Sequence, residues 1–281
     1  EDMGALPIAL YEKLRDDSRR EVADHPVNEA LHFPNPEMTG TEFREAITAH
    51  ACFGDGYAQI VRGRFGRIFL WLLMPYDVRT DRDQNEELFY WVRQRNGQEK
   101  AFPKEEIFHL KGFTLTGIHG VNLLQIAKDI IGLSLDQTEY AKAFFNRDHT
   151  PGIPLVHPQG IGPEATQAIK EAYVRDVQSH GVAALAEDIK VIKTGQSNVE
   201  SQLTEQRAEQ VLEVARLLRM PPHKLGYLRE GASYASIEQR NIEYYTETLH
   251  PWVKRWKDAI SLRLLQPGER RRYYAEHSIE E

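Results

Sequence analysis

The spacing of hydrophobic residues changes several times along the chain, and each change predicts a different kind of element. From residue 41 to residue 51 apolar positions recur at helical spacing, with Thr41 as the expected N-cap. After Gly56 the period is two, which is typical of strands, and Asn96-Gly97 is a strong hairpin signal. The expected strands cover residues 57–62, 67–74, 88–93, 99–102 and 107–110. The first part of the chain is therefore predicted to be a small antiparallel sheet with a helix beside it.

Helical spacing returns in the second part of the chain. We expect helices at 122–131 and 135–146, with Gly132 as a weak point between them, and a third helix at 163–177 that begins at Pro163. Segment 150–162 is expected to be a loop with at most one strand, because it holds three proline and three glycine residues. A strand is expected at 188–193. Residues 150–197 thus predict a strand–helix–strand insert bracketed by helices.

A short glycine-containing segment separates two long predicted helices. The first helix, at 202–219, is stopped by Pro221-Pro222, and the second opens at Tyr234 with a capping-box pattern from Ser236 to Gln239. Pro251 is expected to kink or divide the second helix. The segment between them consists of Leu225, Gly226, Tyr227, Leu228, Arg229, Glu230, Gly231, Ala232 and Ser233. A functional loop held at a fixed place and a plain connector both fit this pattern.

The helix at 202–219 also has an acidic stripe. Glu205, Glu209 and Glu213 are four residues apart, so they share a side of the helix that differs from its apolar stripe. The ordinary interpretation is a solvated face of an amphipathic helix. The alternative is a surface past which a polyanion slides without binding.

Composition excludes several classes of protein. The 281 residues are 41% hydrophobic and 27% charged, which is ordinary for a globular protein. The longest apolar run, residues 68–74, is too short to span a membrane, and no secretory signal precedes it. Cys52 is the only cysteine, which rules out an intrachain disulfide and a cysteine-based zinc site. The net charge of −7 does not favour a phosphate clamp. The first residues already look structured, which indicates a piece cut from a longer chain.

No motif with a catalytic mechanism is present. The sequence lacks the metalloprotease, phosphate-loop and nucleophile-elbow patterns. Residues 81–85 begin like a calcium loop, but Glu86 occupies the required glycine position and Val92 the bidentate glutamate position. We therefore predict no catalytic residue, no metal site and no cofactor. A hydrolase whose residues meet only in the folded chain stays an alternative.

Five stretches, in order along nearly the whole chain, match a known family. They are Asp24-His25-Pro26 with residues 34–39 and 42–45; residues 56–60; Tyr140-Ala141 with residues 144–146; Ala215-Arg216 with residues 220–226; and residues 234–239 with 248–252. On these residues the chain resembles the portal proteins of tailed bacteriophages, of the type found in the Hong Kong phage group. Gly54-Asp55-Gly56 departs from the family's usual Gly-Asn-Ala, and Arg147-Asp148-His149 replaces its usual Gly-Ala after Asn146.

The resemblance implies an α+β portal fold with named parts. It assigns an antiparallel β wing to residues 1–134, a first stem helix to 135–149, a small α/β clip to 150–200 and a second stem helix to 201–220. It assigns the tunnel loop to 221–236 and a long helix that returns to the wing to 237–281. The family continues past the position of Glu281 toward a crown, so the crown is expected to be absent.

The resemblance also implies a function. The subunits would form a homo-oligomeric, dodecameric ring at one capsid vertex, through which double-stranded DNA is packaged and ejected. The partners would be the terminase large subunit, the major capsid and scaffold proteins and the head-completion proteins, with no membrane partner. The protein would lie in the virion, and in the host cytoplasm during assembly. Leu225–Ser233 would touch DNA, the three stripe glutamates would face the channel, and no enzymatic activity is expected. An oligomeric interaction module without a DNA role is the alternative.

Overall fold

The computed structural model describes residues 1–16, 18–146, 155–156, 162–180, 190–191, 197–227 and 234–278. They contain both helices and antiparallel strands, so the mixed α and β class is confirmed. The chain divides into two compact units. Residues 1–128 and 211–281 form the larger unit, and residues 129–210 form the smaller unit.

The elements are numbered in chain order. Those before the smaller unit are α1 (Asp2–Ala5), β1 (Ile8–Lys13), β2 (Arg19–Glu21), α2 (Pro26–His32), α3 (Gly40–Cys52), β3 (Asp55–Arg62), β4 (Ile68–Leu73), β5 (Val78–Arg82), β6 (Leu88–Arg93), β7 (Glu99–Pro103), β8 (Ile107–Lys111) and α4 (Leu123–Ile126). Next come α5 (Lys128–Asn146), β9 (Leu155–Val156), α6 (Pro163–His180), β10 (Lys190–Val191) and α7 (Ser197–Leu218). The last elements are α8 (Tyr234–Glu243), a π-helix (Tyr244–Leu249), α9 (His250–Arg263) and β11 (Tyr273–His277).

Three antiparallel sheets of three strands form the frame of the larger unit. Their strand orders are β11-β1-β2, β4-β3-β8 and β5-β6-β7. In the second sheet β3 is central, with Tyr57 opposite Leu73 of β4 and Asp55 opposite Lys111 of β8. The Asn-Gly turn joins β6 to β7 as the sequence predicts.

The main core of the larger unit lies between its helices and the β4-β3-β8 sheet. Trp256 of α9 is fully buried and donates its indole N–H to the Thr48 hydroxyl of α3 at 3.0 Å. Its ring also contacts Phe43 and Phe108. A second, smaller cluster, around Tyr90, lies where β6 and β7 meet β3 and β8.

Two helix starts differ from the sequence prediction. The N-cap of α3 is Thr39 and not Thr41, because the Thr39 hydroxyl accepts the Glu42 amide N–H at 3.3 Å while the Glu42 carboxylate accepts the Thr39 amide N–H at 2.8 Å. α2, which the sequence analysis did not predict, begins at Pro26. Proline is compatible with a first helical turn because its missing N–H has no helical partner there.

The prediction of one long helix over 237–281 is wrong beyond Arg263. Pro251 lies in the first turn of α9, directly after the π-helix, so the expected interruption near it is present. After α9, Pro267-Gly268 prevents a further helix, and β11 pairs with β1, placing Ala275 opposite Leu10.

In the smaller unit α5 is continuous through Gly132, where we expected a weak point. β9 and β10 form an antiparallel pair, with Lys190 opposite Val156. The strand expected at 188–193 is thus present at its centre. Most of the loop expected at 150–162 lies outside the described residues.

Candidate functional site

The predicted stripe glutamates lie on α7. Glu205 and Glu209 are exposed, and Glu213 is partly buried. Arg216, one turn further on, forms an ion pair with Glu213. The helix therefore brings the three carboxylates to one side, as the four-residue spacing predicts. The last of them is partly neutralised by a guanidinium.

Three of the nine predicted loop residues are described. Leu225 ends a 3-10 turn that begins at Pro222, Gly226 closes the turn with φ of 78°, and Tyr227 is partly buried. The other six, Leu228, Arg229, Glu230, Gly231, Ala232 and Ser233, lie outside the described residues.

Local backbone geometry terminates α7 after Leu218. Arg219 adopts φ of 51°, which turns the chain out of the helix, and the Met220 amide N–H donates to the Ala215 carbonyl at 2.8 Å. Pro221 and Pro222 then exclude further helical bonding. The 3-10 turn follows at once, so the chain direction before the loop is fixed locally.

The π-helix that follows α8 contacts the end of α7. The Thr248 hydroxyl, in the π-helix, donates to the Arg219 carbonyl at 2.6 Å, and Thr248 is only 8% exposed. The Lys224 ammonium lies 4.7 Å from the centre of the Tyr244 ring. Tyr244 in turn donates its hydroxyl to an Asp2 carboxylate oxygen at 2.6 Å. These contacts hold the end of α7, the 3-10 turn and the π-helix in one frame.

The π-helix explains how Tyr244 and Thr248 can both contact the segment at the end of α7. A π-helix inserts one extra residue into the helical repeat, so it rotates the side chains before it relative to those after it. α9 can then direct Trp256 and Ile260 into the core while Tyr244 and Thr248 face the end of α7. Burial and the bond to Asp2 raise the pKa of Tyr244, which keeps its hydroxyl protonated as a donor.

A cavity of about 600 Å³ lies between the end of α7 and the helix that follows the loop. Its lining combines apolar side chains with charged side chains of both signs. The lining residues are Leu212, Ala215, Arg216, Arg219, Met220, Pro221, Pro222, His223, Tyr227, Arg240, Glu243 and Glu247. Burial and the nearby cations of Lys224 and Arg240 lower the pKa of His223, so its ring is neutral near pH 7. The described lining includes no serine, threonine or cysteine that could act as a nucleophile beside His223.

A second polar cluster, which the sequence patterns did not reveal, joins the β4-β3-β8 and β5-β6-β7 sheets to α9. The Arg263 guanidinium donates to the Tyr90 hydroxyl at 3.0 Å, and Tyr90 donates to Nδ1 of His109 at 3.0 Å. Nε2 of His109 donates to the Asp55 carboxylate at 2.8 Å, and the same oxygen accepts the Gly120 amide N–H at 2.8 Å. Each side chain in this series of hydrogen bonds therefore has a polar partner.

Protonation states in this cluster follow from burial. Burial lowers the pKa of His109 to about 4, so the imidazole is neutral and one ring nitrogen can accept. Burial pushes the pKa of Asp55 upward, but the bonds from His109 and Gly120 outweigh it, so that pKa lies below its usual range. Burial raises the pKa of Tyr90 to about 12. Tyr90 has no exposed surface, so its hydroxyl cannot meet a substrate, and the cluster is a structural link between the sheets and α9.

Two negative findings apply to the described part of the chain. There, no group of three or more His, Cys, Asp or Glu side chains is arranged to hold a metal ion. None of the described helices is both long and apolar enough to cross a membrane.

Comparison with known proteins gives concordant matches. A family model described as phage portal protein matches residues 1–281. The portal protein of Enterobacteria phage HK97 is 29% identical over 287 residues, which cover 98% of this chain and 66% of that protein. This chain therefore spans slightly less than two thirds of that relative's length.

Solved structures share the fold. A chain in the neck of an empty GTA particle, computed with C6 symmetry, has a TM-score of 0.71 at 18% identity, covering 99% of this chain and 78% of that one. An HK97 family phage portal protein from Corynebacterium diphtheriae has a TM-score of 0.64 at 16% identity, covering 98% of this chain and 87% of that one. At these identities the likeness establishes a shared fold.

Proposed function

Since this chain belongs to the phage portal protein family, we propose that it is the subunit of a homo-oligomeric ring at one capsid vertex and that double-stranded DNA passes through the ring during packaging and ejection. The ring is a dodecamer in this proposal. It lies in the virion, and its subunits are in the host cytoplasm during assembly. The subunit itself catalyses nothing.

The observation that supports the proposal most is the family match along all 281 residues. A match of that extent covers the larger unit, the smaller unit and the loop together. By analogy with the family, we assign residues 1–134 to the wing, 135–149 and 201–220 to the paired stem helices, and 150–200 to the clip. The clip is the part that docks the terminase large subunit and later the head-completion proteins, and the capsid and scaffold proteins surround the ring.

The charge of the chain favours a channel that DNA passes through over a site that binds DNA tightly. A DNA duplex carries about one negative charge per 1.7 Å of its axis, so a ring lined with lysine would make many simultaneous contacts and hold the DNA. The chain has a net charge of −7, and α7 has a stripe of three carboxylates, Glu205, Glu209 and Glu213. We propose that this stripe faces the channel, where weak repulsion lets DNA pass.

The frame around the 225–233 loop supports a positioning role for that loop. The Thr248–Arg219 and Lys224–Tyr244 contacts join residues that precede the loop to residues that follow it, which supports a role in which the loop is presented at a fixed place. We propose that Leu225–Ser233 is the tunnel loop and that it contacts the moving duplex.

Deleting Leu228–Ala232 tests this role. We expect the purified variant to fold and to form rings, while particles assembled with it package or retain less DNA than unaltered particles. A variant in which the same five residues are replaced by glycine and serine is the matched control, since it keeps the length of the loop and removes its side chains. The readouts are ring formation by electron microscopy and DNA content per particle.

The outcomes separate the alternatives. Normal DNA content with intact rings would mean that the loop has no DNA role, which favours an oligomeric interaction module. Loss of the fold would mean that the loop is structural. Reversing Glu205, Glu209 and Glu213 to lysine should slow DNA movement, and unaltered packaging kinetics would show that the stripe faces away from the channel.

A further inference from the structure

The β4-β3-β8 sheet presents exposed apolar side chains at both of its ends. At one end, the turn between β3 and β4 places Phe65 at its tip, and this side chain is 100% exposed. Arg62 and Arg64 flank it, are exposed, and form no ion pair with any residue that the structure describes. We call this projection the Phe65 tip.

The backbone at the tip is unusual for an aromatic residue. Phe65 adopts φ of 60°, a left-handed conformation that is unfavourable for any residue with a β-carbon, and Gly66 follows with φ of 80°. Packing of the Phe65 side chain does not offset this cost within the chain, because the side chain has no buried surface. A strained and fully exposed aromatic residue is typical of a contact with another molecule.

The opposite end of the same sheet has a broad apolar surface. It consists of Phe53, Met74, Tyr76, Phe113 and Leu115, which are 46–78% exposed. The strand register brings these residues to one end, because Asp55 at the start of β3 pairs with Lys111 at the end of β8, and Tyr57 pairs with Leu73 at the end of β4. The loop after β8 is held there by a hydrogen bond from the Gly112 amide to the Gly54 carbonyl at 2.8 Å. We call this surface the end patch.

We infer that the Phe65 tip of one subunit docks on the end patch of the neighbouring subunit. This inference rests on the proposed ring. A ring requires a head-to-tail interface, in which two different surfaces of the same chain meet, and the two ends of one sheet supply such a pair. The tip cannot reach the end patch of its own chain because the eight residues of β3 separate them by about 24 Å.

The chemistry of the two surfaces matches. An exposed phenylalanine gains most from an apolar surface, and the Arg62 and Arg64 guanidinium groups can lie over aromatic rings such as those of Tyr76 and Phe113.

Two substitutions test the inference on opposite surfaces. Phe65→Ala removes the tip and Leu115→Glu places a charge in the end patch, and both residues are too exposed for these changes to disturb the core. We expect each to weaken assembly of the purified chain at least about tenfold, measured as the concentration at which rings dissociate in analytical ultracentrifugation. Leu262→Ala is the matched control, because Leu262 is 55% exposed on α9 and belongs to neither surface.

Mixing the two variants distinguishes a head-to-tail contact from a contact between two like surfaces. The Leu115→Glu chain keeps its tip and the Phe65→Ala chain keeps its end patch, so an equimolar mixture should form dimers of one chain of each kind and no rings. The inference is overturned if either variant assembles like the unaltered chain, or if the mixture stays monomeric while both variants remain folded by tryptophan fluorescence. Absence of assembly by the unaltered chain would contradict the proposed ring itself, and the docking inference with it. Normal rings that resist both substitutions would contradict the docking alone.

Discussion

Removing the Tyr90 hydroxyl perturbs the buried cluster at its centre. Tyr90 accepts a hydrogen bond from Arg263 and donates one to Nδ1 of His109, both at 3.0 Å. Tyr90→Phe keeps the ring that packs against Tyr57 and Phe102 and deletes only the hydroxyl. The substitution therefore isolates the polar contribution of the cluster to the stability of the larger unit.

The expected loss can be worked out bond by bond. A hydrogen bond in a folded protein contributes about 1 kcal/mol net, and a buried acceptor left without a donor costs about 1–3 kcal/mol. Nδ1 of His109 would become such an acceptor, since the His109 side chain has no exposed surface. Arg263 would keep its second bond, to the Lys104 carbonyl at 2.8 Å. We expect Tyr90→Phe to lower the free energy of unfolding by about 2–3 kcal/mol.

Urea unfolding followed by tryptophan fluorescence measures this loss. All four tryptophans, Trp71, Trp91, Trp252 and Trp256, lie in the larger unit, so the signal reports that unit alone. The midpoint should fall while the slope of free energy against urea stays the same. Tyr76→Phe is the control, because Tyr76 is 74% exposed and should change stability by less than about 0.5 kcal/mol. A Tyr90→Phe loss no larger than that of the control would refute the view that the cluster stabilises the unit.

Three further predictions concern the larger unit. Burial lowers the pKa of His109 from 6.5 to about 4, so the unfolded chain binds a proton at a higher pH than the folded chain does. The contribution of His109 to stability should therefore be complete above about pH 6.5, and the free energy of unfolding should fall by up to about 3 kcal/mol toward pH 4. A flat pH profile in urea unfolding would contradict this. Phe65→Gly should raise the unfolding free energy of the monomer by about 0.5–1 kcal/mol because glycine tolerates φ of 60°, and a loss would show that Phe65 packs within its own chain. Thr248→Val should lower the free energy of unfolding by about 1–2 kcal/mol in thermal unfolding, because the Arg219 carbonyl loses its donor. Thr248→Ser keeps the hydroxyl and should retain stability. Equal losses of stability in the two variants would point to packing of the methyl group instead.

Local patterns predicted five strands of the larger unit, β3, β4, β6, β7 and β8, to within one or two residues at their ends. The alternation of apolar residues and the Asn96-Gly97 turn that indicated them are short-range signals. β1, β2 and β5 were not predicted. The stop after α7 was equally clear, because Pro221-Pro222 has one physical consequence wherever it occurs.

Elements fixed by distant partners were not predictable from local pattern. β1 and β11 pair across almost the full length of the chain, and β11 was expected to be helix. The cap of α3 at Thr39 was missed by two residues because Thr39 and Thr41 both have suitable hydroxyls. The π-helix has no separate sequence signature beyond Pro251, which marks an interruption without specifying its kind.

The Asp55–His109–Tyr90–Arg263 cluster joins residues up to 208 positions apart, so no spacing rule could identify it. One signal existed, since Asp55 departs from the asparagine that the family usually has at this position. Gly56, the neighbouring departure, has a local cause. A β-carbon there would lie 2.4 Å from the Ile47 carbonyl oxygen, so this backbone has no room for alanine.

The most direct test of the proposed function is the structure of the assembled protein by electron cryomicroscopy. We predict a closed ring with the 225–233 loop facing a central opening wide enough for a DNA duplex. A ring in which that loop packs against its own subunit, far from any axial opening, would contradict the proposal that the loop contacts passing DNA.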